Sequence, residues 1–394
     1  MMHITLFEDN SWSKFLPLVY TRPVGDLRIG ILKISEKYQK LFQAEVHHET
    51  RVFLHGLFPP AKQEPDIRIN ARLLPTEELC AAINALAANE SLMYQGVMLA
   101  QKKQLNEMPQ VEVEFKGVPL LIQQITDLFA LNSEALRLDY EMLTKSIKSA
   151  SLHPSNTVIG SVDLVYIAPG AKAHAATFNT LDGPIFIDED AEVMEGSHIR
   201  GPFYLGEHSQ LKMGTKIYGA TTIGPHCKIG GEVSNSVIQG YSNKAHDGFI
   251  GNTLLGEWCN LGADTNTSNL KNNYSKVRVW SYFDNQYTDT GLTFCGLIMG
   301  DHSKCGINTM FNTGTVVGVC CNIYGGGFPP KHIPSFLWGG SEGVVEYQWS
   351  KALDTIARVL QRRNLDLTLE MIEILRFLFE STAAHRFNPS QSQE

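Results

Sequence analysis

A six-residue apolar repeat limits this chain more than any other feature. Counting from 181 in steps of six gives Leu181, Ile187, Val193, Ile199, Leu205, Leu211, Ile217, Ile223 and Ile229. The chain is 43% hydrophobic, so nine consecutive hits arise by chance roughly once in two thousand starting points, which justifies a repeat search. A second position removes the ambiguity. Four residues after each apolar residue from 187 to 223 come Ala191, Ser197, Phe203, Ser209, Thr215, Thr221 and Cys227, all small but one. The period returns at Met299, Cys305, Phe311, Val317 and Ile323. Six matches neither a helix nor alternating strands. It predicts a left-handed parallel β-helix with three flat faces, one hexad to each face, and Gly or Asn at the corners. The 33 glycines of the chain, concentrated in its second half, fit that use.

The repeat occupies 151–342 and divides the 394 residues into three parts. Residues 1–150 read as a small α/β domain. HITLF (3–7), RVFLH (51–55), GVMLA (96–100) and VEVEF (111–115) are strand candidates, and ISEKYQKLF and PTEELCAAINALAA are helix candidates. Residues 343–394 read as a helical cap and tail, with Val345, Trp349, Leu353, Ile356 and Leu360 on one face. A cap is expected because a solenoid has open ends. Its flat faces invite association, so a homotrimer is expected. The period breaks at Asn235 and from about 264 to 296; breaks in a solenoid are loops, and loops carry function.

Composition narrows the partners. Charged residues sum to 33 basic and 41 acidic, a net of −8. That balance argues against nucleic acid, whose phosphates need clustered cations. No run of 18 apolar residues predicts a membrane span, and MMHITLFEDN lacks a signal-peptide pattern. Seven cysteines without a C-x-x-C pair read as reduced thiols, which predicts a cytoplasmic protein.

The chemistry-bearing residues gather at the breaks. His246 follows the first break, Asn260 lies one coil later, and Asn269 opens the next loop, with Lys271, Lys276 and Arg278 close behind. An imidazole, two amides and several cations suit a polar, anionic ligand.

This stretch resembles the acetyltransferase domain of the bifunctional N-acetylglucosamine-1-phosphate uridylyltransferase/glucosamine-1-phosphate acetyltransferases. The family pattern is Lys-Ala-x-His, a Gly-bearing turn, Asn-[Ile/Leu]-Gly-Ala-x-Thr and a further Asn. The chain has Lys244, Ala245 and His246, without the residue between Ala and His, then NLGADT at 260–265, then Asn269. The resemblance implies that His246 is the general base. It implies substrate contacts from Asn260, Asn269, Lys244 and Lys276, and acetyl-CoA contacts from Ala263 and Gly325. An upstream Arg and Lys that hold the sugar phosphate in the family align with Tyr218 and about Ser236. Its aromatic partner after the histidine is Phe249, and a Tyr after the second Asn is Leu270.

PLVYTRPVGDLRIGILKISEKY (17–38) is similar to the segment after the nucleotide loop of sugar nucleotidyltransferases. That similarity implies an abbreviated nucleotidyltransferase domain, with Arg22, Arg28 and Lys33 on nucleotide phosphates and Asp26 on Mg²⁺. The Gly-rich phosphate loop is replaced by FEDNSWSKF. Together the two halves imply an N-acetyltransferase for an amino-sugar phosphate such as glucosamine 1-phosphate, using acetyl-CoA and possessing a site for UTP. Two other readings stand beside it. One is a non-enzymatic sugar-nucleotide-binding scaffold. The other is a zinc hydratase of the γ-carbonic anhydrase type, drawing on His198, His208, His226 and His302.

Overall fold

The computed structural model describes residues 2–103 and 109–386. The N-terminal domain is a mixed six-stranded sheet. Strands β1 (His3–Phe7), β2 (Glu45–Glu49) and β3 (Ile67–Asn70) run parallel, with β1 central. The antiparallel β4 (Glu90–Tyr94) and β5 (Val97–Lys102) follow, and β6 (Val111–Glu114) closes the far edge parallel to β4. Helices α1 (Ile34–Phe42), α2 (Glu77–Ala85), α3 (Asp127–Ala130) and α4 (Asn132–Thr144) complete it. Thr76 caps α2 by accepting from the Leu79 amide at 3.2 Å, as its acidic first turn suggests.

RVFLH is not a strand. Residues Val52–Leu54 form a 3-10 turn. Arg51 before it donates to Glu8 and to the carbonyls of Val19 and Arg22, and those bonds hold the chain in a bend. The strand beside β1 is instead EVHHE, too polar to be legible as one. It lies at the sheet edge, where polar side chains cost little.

From Thr157 the chain winds into a three-faced parallel β-helix. Face A has nine strands, face B ten, and face C six, with C continued by the pair Asn266–Thr267 and Met310–Phe311. Apart from the tenth strand of face B, each strand pairs in parallel with its counterpart one coil on, for instance Ile185–Ile187 with Phe203–Leu205. The apolar hexad positions fill the prism: Ile187, Val193, Ile199, Leu205, Leu211, Ile217, Ile223 and Ile229 are all buried. Six of the seven companion positions are small because the prism narrows beside each large residue; Phe203, also buried, is the exception. Their hydroxyls are satisfied internally; Ser209 donates to the Gly224 carbonyl at 2.8 Å and accepts from the Cys227 amide at 2.7 Å. Leu181 is the exception to the repeat. It sits on a turn and is 68% exposed.

The corners also depart from expectation. On the corner between faces A and B, bulky residues hold the left-handed backbone conformation: His208, His226, Tyr241, Trp258 and His302 have φ of 52–63°. Such residues each pay roughly 1–2 kcal/mol there. Their rings stack coil upon coil into one ladder, with successive centroids 5.0, 4.8, 4.3 and 6.2 Å apart, and the stacking and burial offset the strain.

The remaining helices do not extend the solenoid. Strand Gly343–Glu346, which contains Val345, folds back antiparallel on Leu337–Gly340. Helix α5 (Trp349–Gln361) then runs back along the flank, so that Arg363 just beyond it donates to the His226 carbonyl at 2.8 Å. Helix α6 (Leu369–Ser381) meets the N-terminal domain, where Phe377 stacks on Phe53 at 4.3 Å. The interruption after Thr267 forms a hairpin, Arg278–Ser281 with Gln286–Asp289. Tyr282 of this hairpin packs on Tyr20, and Trp280 stacks on His332 at 4.3 Å. Much of that interruption is therefore a strap between domains. The seven cysteines are free thiols. No described helix is long and apolar enough to cross a membrane.

Candidate functional site

Three of the motif residues fall on one edge of the prism. Asn243 pairs in register with Asn260, Leu261 with Cys305, and Cys305 with Ile323. His246, Ala263 and Gly325 follow these strands by the same short step on the edge between faces B and C; His246 and Ala263 are on adjacent levels, and Ile307 occupies the level between Ala263 and Gly325. The levels are bonded together: the Asp264 amide donates to the Asp247 carbonyl at 3.1 Å, and the Asn308 amide to the Ala263 carbonyl at 2.8 Å. Gly248 allows the approach. Its φ is +112°, and a Cβ there would come within 2.2 Å of the Thr265 carbonyl oxygen.

His246 is exposed at this edge. Lys244 is not exposed with it. It occupies an inward position, in register with Ile229 on the coil before, and is 1% exposed. Its ammonium donates to the carbonyls of His246 and Asp247, the latter at 2.8 Å. Burial pulls it down to about 8, against the opposing pull of Asp247 and Asp264. Lys244 is thus a brace for the turn that presents His246 and reaches no exposed ligand, contrary to the substrate contact expected from the motif.

Asn269 lies on face C. Its amide donates to Asn252 Oδ1 at 2.8 Å, and it stands with the Phe249 ring over Gly251, where a Cβ would meet both at 2.6 Å. Phe249 follows the His246 turn directly, so the imidazole, the ring and the amide share the edge and face C. Lys276 is in the exposed strap, 3.4 Å from Thr293 Oγ1. Asn260 stands apart, on the outer side of face B near the ladder corner. There it joins Asn243, Lys228 and Lys304 in a cavity of about 340 Å³ closed by residues of and after α5.

The residues expected on nucleotide phosphates are engaged elsewhere. Arg22 is buried in the junction between domains, paired with Glu257 at 2.9 Å and with Asp301. Thr21 donates to Asp301 at 2.6 Å. Burial alone would raise Glu257, but Arg22 beside it holds the carboxyl near 2. Arg28 donates from its side chain to the Ile31 carbonyl and lies against the Tyr204 ring, while its backbone amide donates to Gln239 Oε1 at 2.7 Å. Lys33 pairs with Asp26 at 2.9 Å. All four residues thus contribute to, or neighbour, the seam that joins the domain to the solenoid.

One arrangement had no sequence signal. At the carboxyl ends of β1 and β3, where the strand order reverses, Asp9 accepts from Asn70 at 3.0 Å and from Arg72 Nε at 3.1 Å. Burial works to raise Asp9, but Arg72 and Asn70 hold it below the usual carboxylate range. Such a switch point is where open α/β sheets bind ligands. Of the four histidines considered for zinc, His208, His226 and His302 belong to the corner ladder and His198 to face C. Among the described residues, the group spaced to hold a metal is instead His3, Glu45 and His47 on β1 and β2.

Residues 4–148 match the family model described as sugar nucleotidyl transferase. The N-terminal domain is nucleotidyltransferase-like. The chain is 34% identical over 148 residues to the bifunctional sugar-1-phosphate nucleotidylyltransferase/acetyltransferase of Sulfurisphaera tokodaii, covering 37% of this chain and 36% of that one. It is 34% identical over 92 residues to the bifunctional protein GlmU of Methanocaldococcus jannaschii, covering 23% and 22%. The chain thus spans about a third or less of the curated relatives it matches. Among solved structures, the polySia-specific acetyltransferase NeuO matches at 12% identity over 52% of this chain and 100% of its own, with a TM-score of 0.29. An Arabidopsis UDP-N-acetylglucosamine acyltransferase matches at 14% identity over 61% and 94%, with a TM-score of 0.25.

Proposed function

We propose that this protein is a sugar acyltransferase, specifically an acetyl-CoA-dependent N-acetyltransferase acting on an amino-sugar phosphate, with His246 as general base. The observation that carries the reading is the shared edge of His246, Ala263 and Gly325, with Phe249 and Asn269 beside it. An amino sugar is largely an ammonium near neutral pH. The imidazole accepts its proton, the amine attacks the thioester carbonyl, and the carbon–sulfur bond breaks to release the thiol. Amide or backbone donors along the edge stabilise the oxyanion. His246→Ala removes the base and lowers kcat by about 10²–10⁴-fold, read with glucosamine 1-phosphate and acetyl-CoA by thiol release. Full activity in that variant removes the proposal. A trimer in light scattering would accord with the exposed outer side of face C, which carries His198, Arg200, Lys216 and Tyr218.

A second reading concerns the N-terminal domain alone. The pairing of Arg22 and Lys33 with carboxylates favours a docking module that turns over no nucleotide. Calorimetric titration with UTP and Mg²⁺ separates the two: saturable heat supports a nucleotide site, and its absence supports the docking module.

A further inference from the structure

The cavity against face B is lined by four cations. Lys228 and Lys304 stand three levels apart on face B, with Asn243 and Asn260 on the two levels between, and Arg362 and Arg363 come from the chain just after α5. Among the described residues no carboxylate lines it. Arg358, one turn earlier, pairs with Asp354 at 3.1 Å, but Arg362 and Arg363 have no such partner among the described residues. Two of the four cations touch only carbonyls: Lys304 donates to His302 at 2.9 Å and Arg363 to His226 at 2.8 Å. Lys228, Arg362 and Arg363 repel one another in the empty protein, a cost that a chain with net charge −8 has no general need to carry.

The polar groups between the cations are also incompletely used. Asn243 Oδ1 is buried without a hydrogen-bond partner, and the Asn243 amide reaches Asn260 Oδ1 only at 3.5 Å. A buried acceptor without a donor is costly unless a ligand donates to it. The faces of Tyr241 and Trp258 are occupied by the ladder, so the wall offers ring edges rather than a stacking platform. The cavity therefore suits a compact anion with hydroxyl or amide donors, not a flat base. It lies on the same coils as the His246 edge, three residues or about 10 Å along the strand at extended spacing.

We infer that this cavity is a binding site for the phosphoryl group of a small phosphorylated ligand, assembled jointly by face B and the chain following α5. The inference deepens the proposed function, because it supplies cations for a phosphate that the motif's upstream positions, Tyr218 and Ser236, do not provide. The phosphate has two sources in that reaction, the acceptor sugar and the CoA nucleotide.

The test is calorimetric titration of the full-length protein with inorganic pyrophosphate, with glucosamine 1-phosphate against glucosamine, and with CoA against 3′-dephospho-CoA. Wild type binds at least one phosphorylated probe, more weakly as salt rises. Lys228→Gln/Arg362→Gln weakens that probe by about tenfold or more, as loss of charge-assisted contacts requires. Preference for glucosamine 1-phosphate assigns the acceptor, and preference for CoA over its dephospho form assigns the donor. The same double variant has an unchanged or raised Tm without ligand, which a structural role for these cations would not give. Absence of binding to every phosphorylated probe at millimolar concentration, or equal affinity in the variant, overturns the inference. Titration of His246→Ala keeps the two ideas apart: phosphate binding survives there even if acetyl transfer by this protein is never found.

Discussion

Two groups of cations divide this molecule. Arg22 and Lys33 lie in the junction of the N-terminal domain with the solenoid, each matched by carboxylates. Lys228, Lys304, Arg362 and Arg363 lie on the solenoid flank in a cavity lined, among the described residues, by none. The first group has the sequence context of a phosphate site and the surroundings of a structural clasp. The second has no motif and the surroundings of an anion site. Charge in a sequence therefore says little until its counter-charges are located, because a paired cation has already given up most of its attraction for a ligand.

The clasp is where the largest effect should appear. Arg22→Met leaves Glu257 and Asp301 buried with no guanidinium between them, and breaking such a pair costs about 3–5 kcal/mol. Denaturant unfolding of the full chain should show that loss. A change below about 1 kcal/mol would show that the junction tolerates the charges without pairing, and the contrast between the two groups would fail.

Acid should open the same junction before it protonates the clasp. Burial pulls His302, which faces Lys304, Glu257 and Arg22, down to about 3. Burial does the same to His332, which faces Tyr282, Trp280 and His385. Both sit below the ordinary histidine value of 6.5, so the unfolded chain binds the extra protons. Their contribution to stability is complete above about pH 6.5 and is lost as pH falls toward 3. Glu257, held near 2 against 4.5, loses its contribution only below about pH 4.5. Tm measured against pH should start to fall near 6.5, and His332→Gln should flatten the upper part of that fall. A first decline at 4.5 would assign acid sensitivity to the clasp alone.

Lys244 is intermediate between the two groups, buried and bonded only to carbonyls. Lys244→Met keeps the volume and removes the desolvated charge, so stability should shift by no more than about 1.5 kcal/mol. The His246 turn loses its brace, and kcat should fall more than KM rises. Wild type should gain stability between about pH 8 and 10.5, as the folded chain sheds a proton that the unfolded chain retains; the variant should lack this gain. The smallest effect belongs to the flank: Lys228→Gln alone should raise Tm slightly at low salt, and the rise should vanish as salt is added.

Much of the solenoid was legible because its repeat is a packing rule. A prism three faces wide accepts one large apolar residue per hexad, and Ile187 through Ile229 obey it in the chain as in the core. The turn that presents His246 was legible as a break in the period, whereas its stacking with Ala263 and Gly325 was not, because the coils there differ in length, 15 residues from Ile229 to Lys244 and 44 from Leu261 to Cys305. The aromatic ladder was hidden, because His, Tyr and Trp at left-handed corners break local preference and are compensated only by neighbours one coil away. RVFLH was misread because its apolar letters suggest a strand, whereas Arg51 and its distant partners bend it.

By itself, then, the sequence determined the parallel solenoid and the break at which His246 sits, both of which follow from periodicity along the chain. Tertiary structure alone decided which charges are free. Ion pairing depends on what the fold brings within a few ångströms: Arg22 meets Asp301 across 279 residues, and Arg363 reaches the flank at His226 across 137. No local pattern records such meetings.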